Sequence, residues 1–361
     1  MTGRKTMFET AKKITNKILA PRVDYDPLVK VLISRDALLH NLKAFQDKYP
    51  QLQFAPVLKS NAYGHGLVEV AEILDSEDLP FFVVDSFFEA YVLRRARVKT
   101  DILILGYTRT DMIVRKTLRN VVFTIISLDT LMEVVGKLRA PQRFHIKIDT
   151  GMHRQGILPD QIAKAAEIIS HNKNFVLEGV CTHFADADSP SPDFTTGQVK
   201  KWNEIAKFFS DKFPKIAYFH ASNTAGTALA EKLHANVGRL GIGLFGINQT
   251  NFERLDLRPA LEMRSLVSSI KEIVPGEKVG YSLTFEAIKP MKIAAVPLGY
   301  NEGVDLRLSN KGFFQVRGTV CPIVGRVSMN ITIIDVSEIR NCRIEDEVVV
   351  VSSKRADKNS V

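Results

Sequence analysis

Two absences narrow the class of protein before any motif is considered. The 361 residues contain no apolar run of eighteen or more, so we expect no membrane-spanning helix and no membrane partner. Only three cysteines occur, Cys181, Cys321 and Cys342, and they are far apart and lack the spacing of metal ligands. We therefore expect no metal site and a reducing, cytoplasmic setting.

The chain also lacks any run of basic residues interleaved with aromatic ones. Lys and Arg number 49 against 40 Asp and Glu, but the resulting net charge of +9 is spread along the chain. A spread excess is typical of a solvated surface, so we expect no nucleic-acid partner. Residues 1–28 have no continuous apolar core, and we expect an N-terminal tail or lid there, not a secretory signal or membrane anchor.

Strand-like apolar runs alternate with helix-like segments between residues 54 and 247. Regular alternation predicts a parallel sheet, and eight β-then-α units in about 200 residues predict a closed (β/α)8 barrel of the TIM type. An open, doubly wound sheet is the alternative, but no predicted strand is followed by Gly-x-Gly-x-x-Gly; the match at Gly241–Gly246 lies largely within the last predicted run. Periodicity predicts helices over Leu67–Leu74, Ser86–Arg97 and Gln161–Ser170. The predicted strands are Phe54–Leu58, Phe81–Val84, Asp101–Leu105, Val121–Ile126, Phe144–Ile148, Leu177–Cys181, Tyr218–Ala221 and Arg239–Phe245.

After about residue 258 the apolar segments become short and alternating, with turn signals between them. This pattern predicts a second, mainly β domain. We therefore divide the chain into an N-terminal extension (1–28), a barrel (29–258) and a C-terminal β domain (259–361), with an extra leading strand at Lys30–Ser34. The strands predicted in the second domain are Leu266–Ile273, Lys278–Phe285, Met291–Val296, Phe313–Val327, Asn330–Val336 and Asp346–Ser352.

Chemically distinctive residues follow the predicted barrel strands, where the active sites of such barrels lie. Lys59 follows the first strand, beside the glycine-punctuated turn Ala62-Tyr63-Gly64-His65-Gly66, and a lysine shielded there can serve as a Schiff-base amine. The loops after strands seven and eight usually bind phosphate, and they offer Thr224 and Gly241-Ile242. A lysine opposite a phosphate cradle indicates pyridoxal phosphate as cofactor.

Seven motifs in order make the chain resemble the alanine racemase family, pyridoxal-phosphate enzymes of fold-type III that interconvert L- and D-alanine. The resemblance covers about residues 30–352. The motifs are Val57-Leu58-Lys59-Ser60-Asn61-Ala62-Tyr63-Gly64-His65-Gly66, Lys147-Ile148-Asp149-Thr150-Gly151-Met152-His153-Arg154, Thr182-His183-Phe184-Ala185, Gly238-Arg239-Leu240-Gly241-Ile242, Val279-Gly280-Tyr281, Pro297-Leu298-Gly299-Tyr300 and Gly325-Arg326-Val327-Ser328-Met329.

The resemblance implies a two-base mechanism in a homodimer that supplies D-alanine for peptidoglycan. Lys59 would carry the cofactor and act on one face of the substrate carbon, and Tyr281 of a partner subunit would act on the other. His183 would contact that tyrosine and be held by Arg239. Arg239 would lie beside the ring nitrogen of the cofactor and disfavour its protonation, which favours racemisation over other chemistry.

The remaining site residues follow from the same resemblance. Lys147 matches a position that is often carbamylated to orient Arg154. The residues expected to bind the cofactor are Lys59, Tyr63, His183, Asn223, Thr224, Arg239, Gly241 and Ile242. The residues expected to bind substrate are Arg154, Tyr300 and Met329.

Two departures from the family pattern bear on activity. Asn330 stands where the family often has aspartate, so a charge is absent at the substrate entrance. The polar tail Ser352–Val361 stands where the family continues with a helix and a strand bearing a phosphate-contacting tyrosine, so we expect one phosphate contact fewer. Racemisation of another small amino acid such as serine remains an alternative, as does a non-catalytic pyridoxal-phosphate carrier. A decarboxylase of this fold type would need an acid in place of Arg239.

Overall fold

A computed structural model of the chain describes residues 25–115, 118–248 and 255–360. The predicted N-terminal tail or lid lies almost entirely outside the described residues. The chain divides into two compact units. The barrel unit comprises Val31–Met263 with Val349–Val361, and the β unit comprises Met1–Lys30 with Arg264–Val348. The domain boundaries at residues 28 and 258 stay predictions.

Eight parallel strands of the barrel unit form a closed ring, as predicted. Strands β3 to β8 form one sheet in sequence order, and β2 pairs with β9. The N–H of Leu58 donates to Val83 O at 2.8 Å and the N–H of Asn236 donates to Phe219 O at 3.0 Å, which joins the pair to both edges of that sheet. The strands up to residue 240 are β1 Lys30–Ile33, β2 Gln53–Pro56, β3 Phe82–Val84, β4 Ile102–Ile104, β5 Val121–Ile125, β6 Gln142–Lys147, β7 Phe175–Cys181, β8 Tyr218–His220 and β9 Val237–Leu240.

Helices follow the strands, and serine caps begin several of them. The Ser86 hydroxyl accepts a hydrogen bond from the Glu89 N–H, and the Glu89 carboxylate accepts one from the Ser86 N–H. Together they form a complete capping box. In the helix Leu67–Leu74 the residues at i, i+3, i+4 and i+7 are the buried ones, as its periodicity predicts. The helices are α1 Arg35–Lys48, α2 Leu67–Leu74, α3 Phe87–Arg95, α4 Thr110–Val114, α5 Leu128–Lys137, α6 Ile162–Ser170 and α7 Asp193–Lys212. Within the described part of the chain, no helix combines the length and apolarity that a bilayer span requires.

Alternate strand residues face two different cores because strand side chains alternate in direction. Ala55, Val57, Val83, Leu103 and Val122 belong to a small cluster that we assign to the barrel interior. Their strand neighbours belong to the larger cluster that includes the helices. Both faces of each strand are therefore covered, which explains why the strands have uniformly apolar sequences.

The second unit is mainly β, as predicted, and its strands pair mostly antiparallel. Strand β14 pairs with β11 on one side and β17 on the other, and β15 pairs with β16. The further strands are β10 Leu261–Leu266, β11 Ser269–Ile273, β12 Lys278–Val279, β13 Phe285–Glu286, β14 Met291–Val296, β15 Phe313–Val316, β16 Thr319–Pro322, β17 Thr332–Asp335 and β18 Glu347–Val351.

Several predicted strands were wrong in extent, among them Lys278–Phe285, which is interrupted by the 3-10 helix Tyr281–Leu283. The run to Phe245 ends at Leu240, and Ile242–Phe245 is a 3-10 helix between glycines, closed by Gly246 at a φ of 96°. The run Phe313–Val327 is broken by Arg317 and Gly318, both at positive φ. Two such residues make a tight hairpin turn, which the apolar pattern alone does not reveal.

Candidate active site

The C-terminal ends of the barrel strands surround a cavity of about 450 Å³. Nine of the twelve predicted site residues line it, and the other three lie in the β unit. All residues that line the cavity belong to the barrel unit. They are Val57, Lys59, Tyr63, Asp85, Leu105, Lys147, Arg154, Gln155, Cys181, Thr182, His183, Asn223, Thr224, Arg239, Gly241 and Ile242.

Lys59 enters the cavity from a left-handed turn, Lys59–Tyr63, which we call the lysine turn. Strand β2 ends at Pro56, so Lys59 lies three residues beyond it, not directly at its end. The four residues Ser60 to Tyr63 have φ between 52° and 57°, a region that costs L-residues roughly 1–2 kcal/mol each. Lys59 and Tyr63, at the two ends of this turn, both line the cavity. Strain of this kind is typical of active sites.

One part of the cavity wall has the form of an anion cradle. A Cβ on Gly241 would lie 2.9 Å from the Tyr63 hydroxyl and 3.7 Å from Thr224 Oγ1, so a side chain there would fill the space between them. Thr224 Oγ1 accepts the N–H of Gly241 at 3.1 Å. The N–H of Ile242 has no acceptor among the described residues. Burial raises the pKa of Tyr63, which keeps its phenol protonated as a donor.

Arg239 is buried on β9, and its two terminal nitrogens are fully engaged. They donate to the main-chain oxygens of Thr182, His220 and Ala221 at 2.8–2.9 Å. They also donate to Nδ1 of His220 at 2.7 Å and to Nδ1 of His183 at 3.0 Å. Within the described ranges its Nε–H has no partner. That N–H is the donor available to a molecule in the cavity.

These contacts fix the hydrogen positions on His183. Arginine can only donate, so Nδ1 of His183 accepts from Arg239 and Nε2 carries the hydrogen. Burial, followed by the charges of Arg239 and Lys147, lowers the pKa of His183 to about 2. His183 is therefore a neutral imidazole at physiological pH, with an Nε2–H to donate.

A second series of hydrogen bonds links Arg239 to buried histidines of the neighbouring strands. His220 donates its Nε2–H to Nδ1 of His145 at 2.8 Å, because its own Nδ1 accepts from Arg239. His145 Nε2 lies 3.6 Å from Glu178 Oε2, an electrostatic contact too long for a hydrogen bond. Both histidines are fully buried, and burial lowers the pKa of each. The chain of donors thus points from Arg239 towards Glu178.

Lys147 and Arg154 lie together on the cavity wall with Cys181. Lys147 is buried at the end of β6, and burial lowers its pKa. Cys181, at the end of β7, is also buried, and its pKa is raised. Among the described residues the ammonium of Lys147 has no hydrogen-bond partner. It is available to a group in the cavity or to modification.

The other three predicted residues are exposed on the β unit. Tyr281, Tyr300 and Met329 have 69%, 43% and 55% of their surface exposed. Tyr281 follows Gly280 at the start of a short 3-10 helix. Asn330, the departure noted in the sequence, donates to Glu302 Oε1 at 2.7 Å.

Several site residues were not singled out from the sequence. Asp85, Leu105 and Gln155 line the cavity, and Glu89 accepts a hydrogen bond from the lysine turn. Asp85 follows directly after β3, so its position at a strand end was the signal that could have identified it. His145 lies inside a buried strand and gives no such signal.

Fold and cavity together define a (β/α)8-barrel enzyme in which a lysine, a buried arginine and an anion cradle meet at the strand ends. The family model for the N-terminal domain of alanine racemase matches residues 33–249, and that for the C-terminal domain matches residues 260–361. The chain belongs to the alanine racemase family. It is accordingly an isomerase acting on amino acids.

Individual relatives and structures agree with the family models. The alanine racemase of Methanococcus maripaludis is 34% identical over 337 residues, which cover 91% of this chain and 90% of its own. That of Carboxydothermus hydrogenoformans is 33% identical, covering 89% of each chain.

Two solved structures share the fold. The Clostridium difficile 630 alanine racemase is 30% identical, with a TM-score of 0.83 over 92% of this chain and 89% of its own. The Bacillus anthracis enzyme, solved with bound L-Ala-P, is 26% identical, with a TM-score of 0.84 over 94% of this chain and 89% of its own.

Proposed function

We propose that the chain interconverts L-alanine and D-alanine with pyridoxal 5'-phosphate as cofactor. The observation that carries this proposal is the meeting of Lys59, the cradle of Tyr63, Thr224 and Gly241, and the Nε–H of Arg239 in one cavity. An amine, a phosphate site and a donor for a ring nitrogen are the three features that this cofactor requires.

The residues of the cavity fit the cofactor at both of its ends. Tyr63 as a protonated phenol, Thr224 and the free N–H of Ile242 would bind the phosphate, with Asn223 beside them. Lys59 would hold the aldehyde carbon. When bound, the cofactor withdraws electrons from the α-carbon of the amino acid and so acidifies its hydrogen.

Lys59 and Tyr281 are the two groups that we propose to move protons at that α-carbon. Inversion needs one group on each face, because a proton removed from one side must return on the other. Lys59 Nζ would serve one face, and the Tyr281 hydroxyl of a partner subunit the other. The Nε2–H of neutral His183 could donate to that hydroxyl oxygen and stabilise its deprotonated form.

Arg239 would direct the outcome towards racemisation. Its guanidinium remains charged at physiological pH and would face the ring nitrogen of the cofactor through Nε–H, which disfavours a proton on that nitrogen. A ring without a proton on its nitrogen would withdraw electrons from the α-carbon more weakly, which favours prompt return of the proton to that carbon. Arg154 would bind the substrate carboxylate with its planar fork of donors.

We also propose a cytoplasmic homodimer that supplies D-alanine for peptidoglycan. The exposure of Tyr281, Tyr300 and Met329 supports the dimer, since these residues would be covered by a partner whose cavity they complete. Three scattered, unpaired cysteines support a reducing compartment.

Circular dichroism of L- and D-alanine solutions with the purified protein and added cofactor tests the proposal. We expect loss of optical activity from either enantiomer, together with absorbance at about 420 nm, typical of a lysine-bound cofactor. Lys59→Ala should abolish both signals. Faster turnover of serine than of alanine would favour the serine alternative, which the neutral side chain of Asn330 supports. Cofactor absorbance without any turnover would favour a carrier.

A further inference from the structure

The lysine turn needs an external restraint, because four consecutive residues other than glycine adopt a left-handed conformation. Ser60, Asn61 and Ala62 have φ of 55°, 56° and 52° and ψ of 52°, 43° and 48°. Only glycine, and occasionally asparagine or aspartate, visits this region routinely. Strained backbone of this kind persists where surrounding structure over-determines it.

One restraint comes from the neighbouring βα loop. Glu89, the third residue of α3, places Oε1 2.6 Å from the N–H of Ser60, directly after the lysine. Its other oxygen, Oε2, accepts from the N–H groups of Asp85 and Ser86 at 2.9 and 3.0 Å and from the Ser86 hydroxyl at 3.2 Å. One carboxylate therefore ties the loop after β2 to the loop after β3.

We propose that Glu89 is a positioning residue for Lys59, acting by clamping the first N–H of the lysine turn. This inference rests on the proposed function for the role of the lysine. The second oxygen of Glu89 performs ordinary helix capping, whereas Oε1 serves a residue of another element. Without the clamp, the turn relaxes towards right-handed backbone conformations, and Lys59 and Tyr63 no longer converge on the cavity.

The chemistry of glutamine allows the two tasks to be separated. A carboxylate accepts on both oxygens, but an amide accepts on one and donates from the other. In Glu89→Gln the amide oxygen should take the Oε2 position, because the three donors there are the N–H groups of Asp85 and Ser86 and the Ser86 hydroxyl. The NH2 group then faces the Ser60 N–H, so the clamp is broken while the cap is kept.

Two control variants isolate the clamp. Ser86→Ala removes the hydroxyl of the capping box without touching the contact to Ser60. Glu72→Gln makes the same charge change on an exposed residue of α2. Neither control residue lines the cavity.

Hydrogen–deuterium exchange of the cofactor-free protein is the deciding measurement. We expect the peptide covering residues 60–65 to exchange about tenfold faster in Glu89→Gln than in wild type, and at the wild-type rate in both controls. Faster exchange in Ser86→Ala equal to that in Glu89→Gln, or no change in Glu89→Gln, would overturn the clamp.

Steady-state kinetics of the cofactor-loaded enzyme give the second readout. Glu89→Gln should lower kcat about tenfold with KM changed less than about twofold, because a misplaced lysine affects proton transfer more than substrate binding. An unchanged kcat would remove the positioning role even if exchange increases. If the wild type shows no racemisation, the proposed function fails, while the exchange experiment still decides whether Glu89 clamps the turn.

Discussion

Arg239 shows how one buried side chain can be fixed entirely by acceptors of the barrel. Three main-chain oxygens and two imidazoles receive its terminal N–H groups. Lysine has the same charge but lacks the planar fork, so it can serve only a fraction of these acceptors.

Arg239→Lys should therefore lower the free energy of unfolding by about 2–4 kcal/mol, because it leaves buried acceptors unpaired. Urea denaturation of the cofactor-free protein measures this. Arg143→Lys is the matched control: Arg143 pairs with Asp101 and Glu178 with 39% of its side chain exposed, and we expect about 1 kcal/mol or less there. Equal losses in the two variants would contradict the special role of the Arg239 contacts.

The buried histidines make stability depend on pH. Burial lowers the folded-state pKa of His145, His183 and His220, so in the folded protein they stay neutral where the unfolded chain takes up protons. The unfolded state binds more protons below pH 6.5, so stability is complete above that pH and falls as pH drops through it.

Between pH 7.5 and 5.5 His183, whose pKa is lowered to about 2, should remove about 1.4 kcal/mol from the free energy of unfolding, and His145 and His220 should add to this loss. Urea denaturation at the two pH values measures this. His145→Gln should reduce the difference, because it removes one buried neutral imidazole. A pH difference that survives undiminished in His145→Gln would contradict this assignment.

At the scale of elements, the lysine turn is a left-handed segment tied by Glu89 to the loop after β3. Its first residue after the lysine, Ser60, is exposed, and among the described residues its side chain makes no hydrogen bond. Glycine adopts the required φ without the steric cost that a Cβ imposes.

Ser60→Gly should accordingly raise the free energy of unfolding by about 0.5–1 kcal/mol, once the greater freedom of glycine in the unfolded chain is subtracted. The same change at Ser210, in the right-handed helix α7, should lower it by about 0.5–1 kcal/mol. Thermal or urea unfolding of both variants gives the sign. A destabilised Ser60→Gly would show that the turn is not strained at this residue.

At the scale of the whole molecule, we propose that residues of two chains complete the site. Lys59 lines the cavity of the barrel unit, whereas exposed Tyr281 belongs to the β unit. If the partner's tyrosine completes each cavity, inactive variants of the two residues complement one another in a mixed dimer.

Mixing Lys59→Ala with Tyr281→Phe after dissociation and reassociation should restore about a quarter of wild-type activity. Half of the dimers are then mixed, and each carries one intact site. Racemase assays of the mixture, beside each variant alone, measure this. No recovery, with mixed dimers present by mass spectrometry of the native protein, would contradict a shared site.

Some site residues and all eight barrel strands could be predicted from the sequence alone. Lys59 and Arg239 were recognisable because charged residues are unusual in or after buried strands and lie in family motifs. The eight barrel strands were recognisable because both of their faces are covered. Periodicity could not show that β9 ends at Leu240, because the apolar run continues into the 3-10 helix that begins at Ile242.

Residues whose role depends on a neighbouring element escaped the sequence. Glu89 reads as a helix cap, and its bond to Ser60 exists only because two loops 29 residues apart in sequence are adjacent in the barrel. His145 reads as one polar residue in an apolar strand, and its link to Arg239 passes through a third residue on another strand.

The surroundings of Arg239 also limit how this barrel can evolve. An enzyme that needs an acid beside the cofactor nitrogen would have to place a carboxylate at this position. That carboxylate would face the main-chain oxygens of Thr182, His220 and Ala221, which are acceptors and cannot be mutated away. A change to the other chemistry therefore needs the ends of β7 and β8 to be rebuilt together with the substitution of Arg239.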